Sequence, residues 1–537
     1  MRYQDSTMRL RRMAVVVLAA FAMCAVFSLG TKAAAFAGDK TRSRAERALH
    51  DGDYETAEKL FRELVEKDGR DTDARLGLSY ALLKRRHLQD AFDHAARVIA
   101  VDPLSPRAHA LIGASVLAAG DFRLSVEEFR TALSLKDNEA LAIAGLAMVD
   151  FYENRMNASL NGLRRAVFLE PDEPDYLFNL AQAAARTERF KEAADAYERF
   201  LTVAPHTDAD RRARIRGLID FMRYLGQQSS LYVQSGASHV SLPFEIVNNR
   251  PVMEVHLNGA KEPFRFVLDT GSGMAVISEN TAQRLGIRAV ARGGDARAVG
   301  GMGRFEIVYG FLSSIDIGEA RIESVPVYIR RFFDEDGKPV DGYIGLSIIA
   351  KYIATVDYGV QTFSLVSQRE QSRNAAPRAP NSIDIPIRTT SSGFLSGEVL
   401  LEGVKKPLNF ILDTGASVSV IAEKLAISEE MDRFLQTQRM TIYGAAGVAD
   451  DVKMLMLPSV KIGPHHCEKI PAAVLDLEPI NETTGFVQNG IIGGNFLRQF
   501  RVTFNFQKGV VTLEPLTPRA PDTEKRAPEG EASARKL

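Results

Sequence analysis

The sequence predicts a multidomain chain in which an all-α solenoid precedes a mainly β region built from two similar lobes. Three observations carry this. Large apolar residues recur every 34 positions between residues 54 and 190, a strand-to-turn tract occurs twice 144 residues apart, and helical periodicity gives way to strand-like alternation near residue 228. With 537 residues the chain has room for three or four domains. A hydrophobic share of 45% supports packed cores throughout, and a formal net charge of −1 without a long basic run gives no footprint for nucleic acid or an anionic surface.

The solenoid is read from Tyr54, Leu88, Phe122, Met156 and Phe190, each followed three residues later by a small residue, Ala57, Ala91, Ser125, Ser159 and Ala193. A large residue with a small one on the next turn lets two helices approach closely, and Pro103, Pro171 and Pro205 end helices in the same register. Asp208 to Gln227, with Ile215, Leu218, Ile219 and Met222 at helical spacing, covers the exposed end of the array. The period resembles that of tetratricopeptide repeats, and Gly52-Asp-Tyr54 and Gly120-Asp-Phe122 resemble the turn between their helices. The tryptophan frequent in the first helix of that family is absent, because the chain has no Trp. The resemblance implies a concave face that binds a protein partner, and deleting residues 39–206 is expected to spare hydrolysis of short peptides but slow cleavage of the natural target.

In the β region Phe266-Val-Leu-Asp269-Thr270-Gly271-Ser272 and Phe410-Ile-Leu-Asp413-Thr414-Gly415-Ala416 each read as a buried strand delivering a carboxylate to a turn. Val299-Gly-Gly-Met-Gly303, Tyr343-Ile-Gly345 and Thr355-Val-Asp-Tyr358 follow the first copy. Tyr443-Gly-Ala-Ala-Gly447, Ile491-Ile-Gly493 and Thr503-Phe-Asn-Phe506 follow the second in the same order. This is an internally duplicated domain of roughly 130 residues. Each half resembles a lobe of the pepsin and retropepsin superfamily of aspartic peptidases, whose lobes carry an Asp-Thr/Ser-Gly turn, a glycine-rich flap hairpin and a later apolar-apolar-Gly stretch behind the catalytic loop. Tyr343 departs mildly from that stretch by placing an aromatic beside Ile344.

The resemblance implies an aspartic endopeptidase, a retropepsin-like hydrolase that needs neither cofactor nor metal. Asp269 and Asp413 would be the catalytic pair, because two carboxylates sharing one proton supply both a base for water and an acid for the scissile carbonyl. Thr270 and Thr414 have the hydroxyls to tie the two turns together, while Gly271 and Gly415 let backbone approach the carboxylates. Gly300, Gly301 and Gly303, with Gly444 and Gly447, would sit in flaps closing over a peptide substrate. Ser272 is expected to bond the Asp269 carboxylate where Ala416 offers nothing to Asp413, which would leave the shared proton mainly on Asp413. The alternative is a catalytically inactive peptide-binding or envelope scaffold protein.

The expected organisation is a signal peptide or N-terminal anchor over 1–38, tetratricopeptide-like repeats over 39–227, a first lobe over 228–368, a linker over 369–381, a second lobe over 382–516 and a disordered tail over 517–537. Arg9, Arg11 and Arg12 precede an apolar run from Met13 to Leu29, and Ala33, Ala35 and Ala37 follow it, the pattern of an export signal. An exported, periplasmic protein is expected, membrane-bound only if that segment is retained. The two cysteines are Cys24 and Cys467, so a cleaved chain forms no internal disulfide. Adjacent His465, His466 and Cys467 lack the spacing of a zinc site.

Overall fold

Ten helices of the array follow one another as antiparallel pairs after a helical stretch over residues 40–50 (α1) in the computed structural model, which describes residues 40–298, 303–332, 339–371, 382–428 and 431–516. Gly300, Gly301, the segment 1–38, linker residues 372–381 and the tail 517–537 lie outside the described residues. The helices are Tyr54–Lys67 (α2), Thr72–Lys84 (α3), Leu88–Ile99 (α4), Pro106–Ala119 (α5), Phe122–Leu135 (α6), Ala140–Tyr152 (α7), Met156–Leu169 (α8), Pro174–Arg186 (α9), Phe190–Val203 (α10) and Ala209–Leu225 (α11). Tyr54, Leu88, Phe122, Met156 and Phe190 each open a helix, and the small residue three positions on is fully buried in every case. Asp53, Asp71, Asp121 and Asp208 accept a backbone N–H three residues ahead, caps each contributing about 1 kcal/mol.

The β region begins at Val233 and is arranged as two lobes that share one sheet. Within each lobe the strand leading to the Asp runs parallel to the apolar strand that backs it. Phe264–Leu268 pairs with Gly342–Ile344, and Leu408–Leu412 with Gly490–Ile492. Between the lobes, six strands form a continuous antiparallel sheet. His239–Pro243, Thr362–Ser367 and Tyr352–Asp357 come from the first half, followed by Phe500–Asn505, Val510–Pro515 and Ile383–Thr389 from the second. Thr355 lies opposite Thr503 at its centre with the two hydroxyls 2.9 Å apart, so the duplicated Thr tracts meet at the joint between halves.

The array is packed into the lobes rather than hung from them. In α11 the Phe221 ring stacks on Tyr309 with centroids 4.2 Å apart, Arg214 donates to the Asp295 carbonyl at 3.0 Å and Asp210 pairs with Arg304 at 2.7 Å. These contacts lay α11 along the hairpin Ala291–Arg297/Arg304–Ile317 of the first lobe. On the second lobe, fully buried Phe486 meets Phe122 and Tyr152 edge-on at 4.9 and 5.0 Å, and the Val487 N–H donates to the Ala118 carbonyl at 2.9 Å. A separable recruiting module would leave both lobe surfaces complete. Deleting residues 39–206 would leave α11 over Tyr309 but bare Phe486 of the second lobe. Phe486→Ala removes a buried ring worth about 3–5 kcal/mol of packing, mostly at the seam between array and second lobe. Urea unfolding followed by tryptophan-free probes such as tyrosine fluorescence and far-UV dichroism should pass from one joint transition to two. An unchanged single transition would mean that the seam carries little coupling.

Candidate active site

Asp269 and Asp413 end their strands where a hydrogen bond to the backing strand fixes the turn. The Asp269 N–H donates to the Ile344 carbonyl at 3.0 Å, and the Asp413 N–H to the Ile492 carbonyl at 2.9 Å. The next residue ties the turns to each other. Thr270 Oγ1 donates to the Leu412 carbonyl at 2.7 Å and accepts the Thr414 N–H at 3.0 Å, while Thr414 Oγ1 donates to the Leu268 carbonyl at 2.7 Å and accepts the Thr270 N–H at 3.1 Å. Both threonines are fully buried, so each bond also satisfies a polar group that has no water to turn to. Glycine follows because nothing larger fits: a Cβ on Gly271 would stand 2.2 Å from Asp413 Oδ2, and one on Gly415 2.6 Å from Asp269 Oδ1.

The two carboxyl groups are hydrogen-bonded to one another, and burial raises the pKa of both. They are not equivalent. Asp413 Oδ1 accepts the N–H groups of Gly415 at 2.7 Å and Ala416 at 3.1 Å, and the Gly271 N–H also favours its charged form. Asp269 Oδ1 accepts the Gly271 N–H alone, at 2.8 Å. Donors favour the charged form, so Asp413 is the ionised member, and burial together with that neighbouring charge holds Asp269 protonated well above the usual carboxylate range. The reverse assignment, expected from Ser272, fails for a local reason. Ser272 Oγ donates to the Met274 carbonyl at 2.7 Å, inside its own turn, and Ala416 serves Asp413 through its backbone N–H instead of a side chain.

The carboxyl pair opens into a cavity of about 2400 Å³ whose far wall is the concave face of the array, including Tyr54, Tyr80, Phe178 and Tyr197. The flap-like hairpins line it as well. Gly444 pairs with Gly447 at the tip of Leu435–Gly444/Gly447–Ile462, where Gly447 takes a φ of 125°, and Gly303 abuts the Ala446 carbonyl, so the two hairpins meet. Arg330 bridges them: its guanidinium lies 3.8 Å from the Phe305 ring centroid and donates to the Ala445 carbonyl at 3.1 Å. Arg186 of α9 enters from the array side and donates to the Thr390 carbonyl at 2.7 Å. Neither arginine was legible in the sequence, since a lone Arg at a strand end or helix end has no pattern. Away from the cavity, Cys467 is buried with its thiol pushed up to about 11 by desolvation, and His466 on the same strand is exposed. Among the described residues no group of three or more His, Cys, Asp or Glu converges as metal ligands do.

The proton assignment has a stability signature. A carboxyl whose pKa is raised in the fold contributes stability fully below its unfolded value, about 4, and loses it as pH rises through the folded value. Asp269→Asn mimics the protonated form at every pH. The variant should therefore melt above wild type at pH 7, with the difference shrinking to nothing as pH falls below about 4. A variant that melts lower at pH 7 would contradict a protonated Asp269.

Two segments of the chain, 253–348 and 397–496, match the aspartyl protease family model, and residues 48–114 and 144–209 match models of the tetratricopeptide repeat. No curated protein matches the chain. Among solved structures, the aspartic proteinase from Irpex lacteus is 13% identical, with 52% of this chain and 97% of that one covered at a TM-score of 0.36. A thermophilic tetratricopeptide repeat protein of Thermus thermophilus is 19% identical, with 34% of this chain and 98% of that one covered at a TM-score of 0.29. The two matches to the aspartyl protease model thus fall in the two β lobes, and the two tetratricopeptide matches in the helical array that precedes them.

Proposed function

We propose that this protein is an aspartic endopeptidase in which one chain supplies both carboxylates. The observation that carries the reading is the pair of buried carboxyl groups, each turn tied to the other by reciprocal threonine bonds and each approached by the opposite glycine, lining a cavity of about 2400 Å³. Ionised Asp413 takes a proton from water as the water oxygen attacks the scissile carbonyl carbon, and Asp269 gives its proton to the carbonyl oxygen. The tetrahedral diol then collapses: its C–N bond breaks, the nitrogen takes a proton from Asp413, and a diol hydroxyl returns one to Asp269. The resting state is restored.

The cavity wall formed by the array supports a role for the repeats in gripping the polypeptide that is cut, with or without a separate protein partner. The basic, apolar and small-residue succession over 1–38 supports export to the periplasm, with retention of that segment as the route to a membrane-bound form. Among the described residues no helix is long and apolar enough to cross a membrane.

The test uses full-length protein with casein or a fluorogenic peptide library at mildly acidic to neutral pH. Cleavage should be blocked by pepstatin and reduced by about 10²–10⁴-fold or more in Asp269→Asn, the range expected for losing a positioned acid. Ser272→Ala should leave the alkaline limb of kcat/KM where it is, because that hydroxyl serves Met274. Folded wild type with no cleavage of any member of the library would favour the scaffold reading.

A further inference from the structure

Two arginines couple electrostatically to the carboxyl pair. Arg250 acts on Asp269 and Asp269 acts on Arg330, and both arginines line the cavity that holds the pair. Arg330 ends the strand Ala320–Arg330, beside Ser278. Its guanidinium is half-buried, with one face on Phe305 and Nη2 on the Ala445 carbonyl. No carboxylate lies within ion-pair distance of it among the described residues, and Nε and Nη1 have no partner there. Arg330 lines the same cavity as Asp269 and Asp413.

Such an arrangement is costly unless something pairs with it. Desolvation lowers the Arg330 pKa, which means that the fold holds this cation against its solvation preference. A second cation on the array side repeats the pattern. Arg186 rests 3.9 Å from the Phe151 ring centroid, keeps Nη1 buried without a partner and is pushed down to about 10 by burial. The Thr390 carbonyl that it bonds also accepts the Gly393 N–H at 3.0 Å, and Gly393 packs against Gly273, four residues beyond Asp269. Cations thus approach the pair from the hairpin side and from the array side. Among the described residues neither has a carboxylate within ion-pair distance.

We propose that the cleft selects peptide substrates bearing a carboxylate within a few residues of the scissile bond, and that Arg330 is the specificity-determining residue that binds it. The stacking on Phe305 and the bond to Ala445 hold the guanidinium before substrate arrives, so its free edge is presented without further ordering. A carboxylate there makes charge-assisted hydrogen bonds in a partly desolvated site, a preference on the order of 10-fold or more over a neutral isostere. Either an acidic side chain or a chain-terminal carboxylate has this chemistry.

The inference rests on the peptidase reading, and the experiment separates the two. Fluorogenic peptides are compared in matched pairs, Glu against Gln at each position around the cleaved bond, and free acid against amide at the C-terminus. Wild type should favour one acidic member by about 10-fold or more in kcat/KM, mainly through KM, and the preference should weaken with salt. The pair that responds identifies the source of the carboxylate. Arg330→Met should abolish the preference, the acidic and neutral members then being cleaved with equal kcat/KM whatever their common rate, and Arg330→Lys should retain part of it. If Arg330→Met does not fold, as judged by its melting curve, the Lys variant and the salt dependence decide. Equal cleavage of acidic and neutral members by wild type would overturn the proposal and leave the peptidase reading intact. A preference that survives Arg330→Met would overturn the role of Arg330, and no cleavage of any peptide would overturn both.

Discussion

The reciprocal hydroxyl bonds of Thr270 and Thr414 are the constraint on which the site depends. Each threonine reaches across to the backbone of the opposite lobe, and each lies in a region with no water to replace its partner. Leaving one such group unsatisfied costs about 1–3 kcal/mol, so the two turns hold a fixed separation instead of sliding. That separation lets Gly271 and Gly415 approach the opposite carboxylates and brings the carboxyl groups within hydrogen-bonding distance. Shared protonation suits that geometry, and the proposed hydrolysis rests on it.

The six-stranded sheet between the lobes reinforces the same approximate symmetry from the far side. Its central pair joins Tyr352–Asp357 to Phe500–Asn505, the strands that follow the two backing tracts in sequence. Bonded threonines thus stand at two levels of the joint, Thr270 with Thr414 and Thr355 with Thr503. The array then breaks the symmetry. α11 meets the hairpin of the first lobe, whereas α5, α6 and α7 meet Phe486 and Val487 of the second, and array and lobes line one cavity together.

Much of this was legible because it is repetitive. Close helix packing demands a small residue at a fixed offset, and Ala57, Ala91, Ser125, Ser159 and Ala193 recur for that reason. The two Asp-Thr-Gly turns are legible for an analogous reason: the chemistry needs the same backbone shape twice. Features decided by single contacts were not. The direction of the Ser272 hydroxyl depends on the position of the Met274 carbonyl, which no spacing encodes. The docking of the array depends on pairs such as Phe221 with Tyr309 and Phe122 with Phe486, which are far apart in sequence and carry no motif. The arginines of the cavity belong to the same class.

Pairing of the lobes within one chain is tested most directly by complementation. Asp269→Ala and Asp413→Ala chains, each folded and inactive alone, are mixed at several ratios and incubated before peptide substrate is added. Lobes locked together by the shared sheet and the threonine bonds predict no recovered hydrolysis at any ratio, with wild-type activity linear in enzyme concentration. Substantial recovery on mixing would mean that lobes of different chains exchange and pair, and would contradict a site built within a single polypeptide.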